Sequence, residues 1–191
     1  MAILHATADI TPTKPELLAT WLPTQPWFAG DATVLQHLGA YRFDDPDGEV
    51  GIETHLVRAG DGPVLQVPWT YRGAPLDGAE SFLVGTMEHT VLGLRWIYDA
   101  IGDPVYQAVL AATILTGGTQ AELVREFADG RTEIAEPSVR VKGSGGGSDV
   151  PPVDLEVVRL PGGPTPEGDE VLTGTWAGAD EPIVLAVARL R

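Results

Sequence analysis

Two five-residue clusters decide the local topology of this chain: Asp44-Asp45-Pro46-Asp47-Gly48 and Ala59-Gly60-Asp61-Gly62-Pro63. Each combines proline, glycine and aspartate, which preset φ, tolerate positive φ or bond their own backbone, and so end regular structure. The segments they bracket, residues 33–43, 49–58 and 64–72, read as three strands joined by short turns, and short turns make neighbours antiparallel. In the middle segment Val50, Ile52, Thr54 and Leu56 alternate with Gly51, Glu53, His55 and Val57. Such alternation predicts a strand with one buried and one solvated face, leaving Glu53 and His55 outside.

Ahead of these strands, Thr13 and Glu16 spell a capping box with Pro15 in the first turn. They predict a helix whose Leu17, Leu18, Trp21 and Leu22 share one face and which Pro23 ends. The following stretch, Trp21 to Gly30, holds two tryptophans, a phenylalanine and two prolines, a stiff segment with much apolar surface to bury. Residues 81–89 read as a further strand, and periodicity alone leaves 92–101 open between strand and helix. Asp103-Pro104 then opens a helix with Val105, Val109 and Ala112 inward, stopped by Gly117-Gly118. Thr119 and Glu122 form a second capping box, predicting a helix to Ala128 that Asp129-Gly130 ends.

The last third reads as strands at 138–142, 153–160, 171–176 and 183–190, with a turn at 177–182. The connectors, 143–148 and 161–169, are rich in glycine and proline and read as mobile linkers. The order helix, strands, helices, strands predicts an α+β fold: a curved antiparallel sheet on a helix, then two helices and a C-terminal antiparallel β region. The natural division is residues 1–102 and residues 103–191.

Charge narrows the function. There are 27 acidic against 12 basic residues, a net charge of −15, which repels nucleic-acid backbones and anionic membranes. The sequence has no cysteine, so thiol chemistry and disulfides are excluded and the cytoplasm is the expected setting. Nothing in the pattern calls for a cofactor or a metal. Glu53 and His55 offer two ligands without a third partner. Glu88 and His89 are neighbours on a strand, pointing to opposite faces, and read as a solvated strand end. Trp69, Tyr71 and Arg72 precede a loop, residues 73–78, and place aromatic faces beside a guanidinium fork suited to a sugar ring or a protein surface. The alternative is that these rings are core and Arg72 lies over them. With Arg95, they make a candidate binding set of Trp69, Tyr71, Arg72, Glu88, His89 and Arg95.

Three motifs carry a family resemblance. Trp21-Leu22-Pro23 with Trp27-Phe28-Ala29-Gly30, Val67-Pro68-Trp69-Thr70-Tyr71, and Ile97-Tyr98-Asp99-Ala100-Ile101-Gly102-Asp103-Pro104 resemble the N-terminal cap of actinobacterial maltokinases. The match runs over residues 15–118, and it implies a cystatin-like sheet wrapped on a helix. Residues 171–176 and 183–189 resemble the first hairpin of the kinase lobe, where the family's phosphate-binding lysine falls on Ala186. The family's His-Gly-Asp has no counterpart at His5, His37, His55 or His89, and no Gly-Lys-Ser/Thr occurs. The resemblance therefore implies a cap without a kinase: a non-catalytic binding or regulatory module in α-glucan, maltose or trehalose metabolism. What it binds is expected to be a kinase or other glucan-pathway enzyme, a second copy, or a sugar. The alternatives are a carbohydrate-metabolism enzyme with a pocket near Arg72, Glu88, His89 and Arg95, or a structural homodimer.

Overall fold

The turn clusters act as their composition requires, with Gly48 and Gly60 at positive φ (73° and 58°) and Asp45 accepting from the backbone of residues 47, 49 and 50. In this computed structural model, residues 2–5, 9–127 and 131–191 are described. They run β1 (Ala2–His5), β2 (Ile10–Thr11), α1 (Lys14–Trp21), β3 (Leu35–Phe43), β4 (Gly51–Ala59), β5 (Val64–Arg72), β6 (Leu83–His89), β7 (Gly93–Asp99) and α2 (Pro104–Leu115). Then follow β8 (Leu123–Glu126), β9 (Thr132–Ala135), β10 (Val139–Gly143), β11 (Val153–Val157), β12 (Glu170–Trp176) and β13 (Ala179–Leu190). The fold is α+β. A six-stranded antiparallel sheet, ordered β2-β6-β7-β5-β4-β3, curls as a half-barrel; the C-terminal sheet is β10-β12-β13-β11, and β1-β8-β9 form a third. Residues 92–101, left open by periodicity, are mainly strand β7.

Strand β4 corrects the expectation of a solvated face. Its residues divide as the alternation says, but both faces are covered, and Glu53 (7% exposed) and His55 (2%) are buried. Helix α1 is the reason. Thr13 and Glu16 close the capping box, and Leu17, Leu18, Trp21 and Leu22 pack on Val57, Leu65, Val67, Trp69 and Ile97. Each such aliphatic side chain stabilises the helix by roughly 2 kcal/mol when taken from water. Trp21 stands edge-on to both Trp27 and Trp69, at 5.9 and 6.3 Å, so the proline-bracketed aromatic segment does enter the core.

The opposite face of the sheet meets α2 and the C-terminal sheet in one continuous core. Tyr41, Ile52 and Leu56 belong to the same cluster as Tyr106, Leu110 and Ile114 and as Val141, Leu172 and Leu185. Asp103 caps α2 by accepting from the Val105 N–H at 2.9 Å, as its Asp-Pro pair predicts. The inner face is turned by about one position from the expected one. Tyr106, Leu110 and Ile114 are buried, while Val105 and Val109 lie at the margin.

Gln66 is the seam's polar clamp. Its side-chain amide donates to the Val158 and Leu185 carbonyls at 3.0 and 2.7 Å, and its amide oxygen accepts from the Tyr41 hydroxyl at 3.0 Å. Its backbone N–H donates to Arg159 at 2.9 Å.

Three further expectations are corrected. The second capping box does not start a helix. Residues 123–126 form β8 between β1 and β9, where ladder bonds satisfy a segment too short to hold a helix without packing. The expected helix end at Ala128 and the Asp129-Gly130 stop lie outside the described residues. The glycine run after β10 is docked, not a free linker. The N–H of Gly143 donates to Gly118 and that of Gly145 to Ile114, both at 2.9 Å, and a Cβ on either glycine would come within 2.1 Å of an α2 carbonyl. Finally, the closing hairpin turns at Ala177-Gly178, because Trp176 already pairs with Ala179. Pro182, which lacks a donor, falls in the irregular stretch of that ladder.

Candidate functional site

The densest titratable cluster lies where the N-terminal end of α1 covers β3, β4 and β5. Glu53 accepts from Lys14, from Arg42 Nη2 at 3.0 Å and from the Tyr71 hydroxyl at 3.0 Å, with His55 Nε2 3.5 Å away. The Tyr71 hydroxyl also lies 3.2 Å from His55 Nε2. Burial works to raise the Glu53 carboxyl. His55 when protonated, then Lys14 and Arg42, outweigh it and hold the group well below its ordinary range. Burial pushes His55 down to about 4 against the pull of Glu53, so the ring is neutral at pH 7. Every oxygen of Glu53 is occupied by a neighbour from this chain. The cluster therefore fastens a helix to a sheet, and its carboxylate is not free to handle a substrate proton.

A second ion pair fixes α2. Arg72 meets Asp103 through two bonds of 2.7 Å, and Asp103 is fully buried. Burial works to raise the Asp103 carboxyl, but Arg72 and the Val105 N–H outweigh it and hold it below its ordinary value. A third lies at the seam: Arg159 Nη2 donates to both oxygens of Asp99, at 2.7 and 2.5 Å, while its guanidinium sits 4.7 Å from the Trp27 ring centroid.

Beside this third pair opens a groove of about 530 Å³ between α2 and β11. Trp27, Ile101, Tyr106, Gln107 and Leu110 line it from the N-terminal half and α2; β11, Arg159 and Arg191 line it from the C-terminal half. Its two carboxylates are paired, Asp154 with Arg191 and Glu156 with Arg189, and its Arg159 is held from behind by the buried Asp99. The lining offers aromatic and apolar contact, solvent-exposed ion pairs and backbone, which suits holding a ligand and provides no free acid and base aimed at one another.

The residues singled out from sequence fall into three other settings. Trp69 is wholly buried under α1, edge-on to His55 at 5.2 Å, and Tyr71 belongs to the Glu53 cluster. Arg72 is spent on Asp103. Glu88, His89 and Arg95 share the β6–β7 hairpin: Glu88 is exposed, His89 Nδ1 accepts from the N–H groups of Val91 and Leu92, and Arg95 donates to the Leu92 carbonyl at 2.6 Å. None of the six lines the groove. Sequence reasoning passed over Gln66, Arg159 and the groove face of α2. Only Trp27 carried a signal, through its place in the aromatic segment.

Residues 21–103 match the family model of the maltokinase N-terminal cap domain. The matched stretch begins at the end of α1, takes in β3 to β7 and ends at the Asp103 cap, so it supplies Trp27 and Ile101 to the groove but neither α2 nor β11. A comparison with curated proteins gave no match to the chain.

Proposed function

We propose, starting from the cap-domain match over residues 21–103, that this chain is a non-catalytic binding module that engages a protein partner through the groove between α2 and β11. The observation that carries this reading is the state of the groove's charged groups, each acid closed by an arginine of the same chain while the wall beside them is backbone and apolar surface. The position where the resemblance expects a phosphate-binding lysine is Ala186, buried in β13, which supports a role without phosphoryl transfer. The family and the cysteine-free sequence point to a cytoplasmic setting in α-glucan, maltose or trehalose metabolism.

Affinity capture of the tagged protein from lysate of its own host, with mass spectrometry, tests the reading against a Trp27→Ala variant. A kinase or glucan-pathway enzyme held by the wild type and lost by the variant is the expected result. Recovery of the same proteins by both, or of none, counts against the groove as the binding face.

A further inference from the structure

We infer that the groove takes its partner as an added β-strand: an extended segment, basic on alternate residues and apolar between them, pairs with the free edge of β11. This rests on the binding role proposed above and names the mode and chemistry of that binding.

The backbone makes the case first. Strand β11 is the last in its sheet and pairs only with β13. Beyond its ends, Val158 donates to the Leu185 carbonyl and Arg191 donates to the Pro152 carbonyl. In an antiparallel ladder both polar groups of a residue point the same way, and the direction alternates along the strand. The even positions of β11 therefore face β13, and Val153, Leu155 and Val157 turn their N–H and C=O groups to the free side. Among the described residues no backbone partner meets them there. Open edges of this kind are ready templates for another strand.

The groove supplies the rest of the seat. A strand laid about 4.8 Å outside β11 would lie over α2. There Ile101, 37% exposed, offers apolar surface, and Gln107 stands beside it. Inward side chains of the incoming strand would continue the row of Val153, Leu155 and Val157, which already pack against the core. Its outward side chains would flank Asp154 and Glu156. On the other side of those two acids Arg189 of β13 bonds Glu156 at 2.7 Å, and Arg191, just past the end of β13, bonds Asp154 at 2.6 Å. A strand carrying lysine or arginine at alternate positions repeats that arrangement, and it suits a molecule of net charge −15. A second copy fits badly. Antiparallel pairing of two β11 strands about Leu155 sets Asp154 against Glu156, and like charges directly opposite repel.

The test titrates the full chain against a fluorescein-labelled nine-residue peptide alternating valine and lysine, read by anisotropy, with backbone hydrogen exchange locating the contact. In antiparallel register the valine N–H groups face β11 and the lysine N–H groups face away. Methylating the valine nitrogens is expected to weaken binding at least tenfold, while methylating the lysine nitrogens leaves it within twofold. Protection is expected at Val153, Leu155 and Val157. Leu155→Pro deletes one outward N–H without touching a bond to β13 and is expected to lower affinity at least tenfold. Because that variant also trims the core, the pair Asp154→Lys and Glu156→Lys serves as a second arm and is expected to switch preference to a valine–glutamate peptide.

Absence of binding at millimolar peptide, equal loss from the two methylated peptides, or protection elsewhere overturns the proposal. So does a concentration-dependent dimer that Leu155→Pro abolishes, since the edge would then serve self-pairing. If folded Leu155→Pro captures the same host partner as wild type, strand addition is wrong and the binding role stands. If wild type captures none while the peptide binds, it is the binding role that fails.

Discussion

The side-chain amide of Gln66 reaches the Leu185 carbonyl at 2.7 Å, joining the six-stranded sheet to the C-terminal sheet across 119 residues of chain. The same amide holds Val158 and is itself anchored by Tyr41, so all of its polar capacity is used away from water. Gln66→Leu leaves the Val158 carbonyl and the Tyr41 hydroxyl without this partner, while the Leu185 carbonyl keeps the Val158 N–H, and is expected to cost about 2 kcal/mol. Gln66→Glu places a carboxylate against two carbonyls and is expected to cost more at pH 7, with partial recovery in acid. Urea unfolding of both variants checks the order; equal losses would mean the amide matters for its volume alone.

Glu53 is surrounded by Lys14, Arg42 and Tyr71, and neutralising it leaves two cations without their counter-charge. Glu53→Gln is expected to destabilise the protein by about 3 kcal/mol, at the lower end for a broken buried pair because Lys14 and Arg42 retain some access to water. Lys14→Met removes only the outermost partner and is expected to cost under about 1 kcal/mol. Chemical denaturation of the two variants side by side gives the ranking.

Acid should weaken the fold through His55. Its folded value, about 4, lies below its ordinary 6.5, so between those values the unfolded chain binds a proton that the folded chain refuses. Stability is then full above pH 6.5 and falls as the pH drops toward 4, by on the order of 3 kcal/mol. Burial lowers His37 as well, which acts in the same direction. Unfolding free energies at pH 7.5 and 4.5 measure the slope, and His55→Gln is expected to remove most of it. A slope that survives the substitution assigns the proton to another group.

Asp103 caps α2 and holds Arg72 by two bonds, so one side chain serves both the helix and the β5 strand. Asp103→Ala is expected to cost about 2 kcal/mol, the cap near 1 and the loss of the pair with Arg72, which keeps access to water, the rest. Arg72→Lys keeps the charge but loses the fork, and an intermediate loss is expected. Thermal melts with far-UV detection of α2 distinguish these cases.

Much of the scaffold is written locally. The Thr13–Glu16 box, the Asp103-Pro104 start and the two turn clusters act through neighbours a few residues away, and each forms as its residues require. The misreadings at β4, β8 and the glycine run share one cause, which is that a distant segment decides the outcome. Glu53 and His55 look solvent-facing until α1 lands on them. The Thr119–Glu122 box is outcompeted by pairing with Ala2–His5, and the glycines at 143 and 145 look loose until α2 lies against them. The groove was the least legible feature, since Trp27, Ile101, Leu155 and Arg159 meet only after both sheets have closed.

The shared core has a consequence for synthesis. Leu185, Ala186 and Ala188 complete the cluster begun by Tyr41, Ile52 and Leu56, so the cover that α2, β10 and β12 give that face of the first sheet stays incomplete until β13 has been made. At roughly 5–20 residues per second, the hundred-odd residues between β5 and β13 keep this core unfinished for about ten seconds on the ribosome. Nascent chains of this protein should therefore be clients of a holding chaperone during translation, and release should follow the emergence of the strand that carries Leu185.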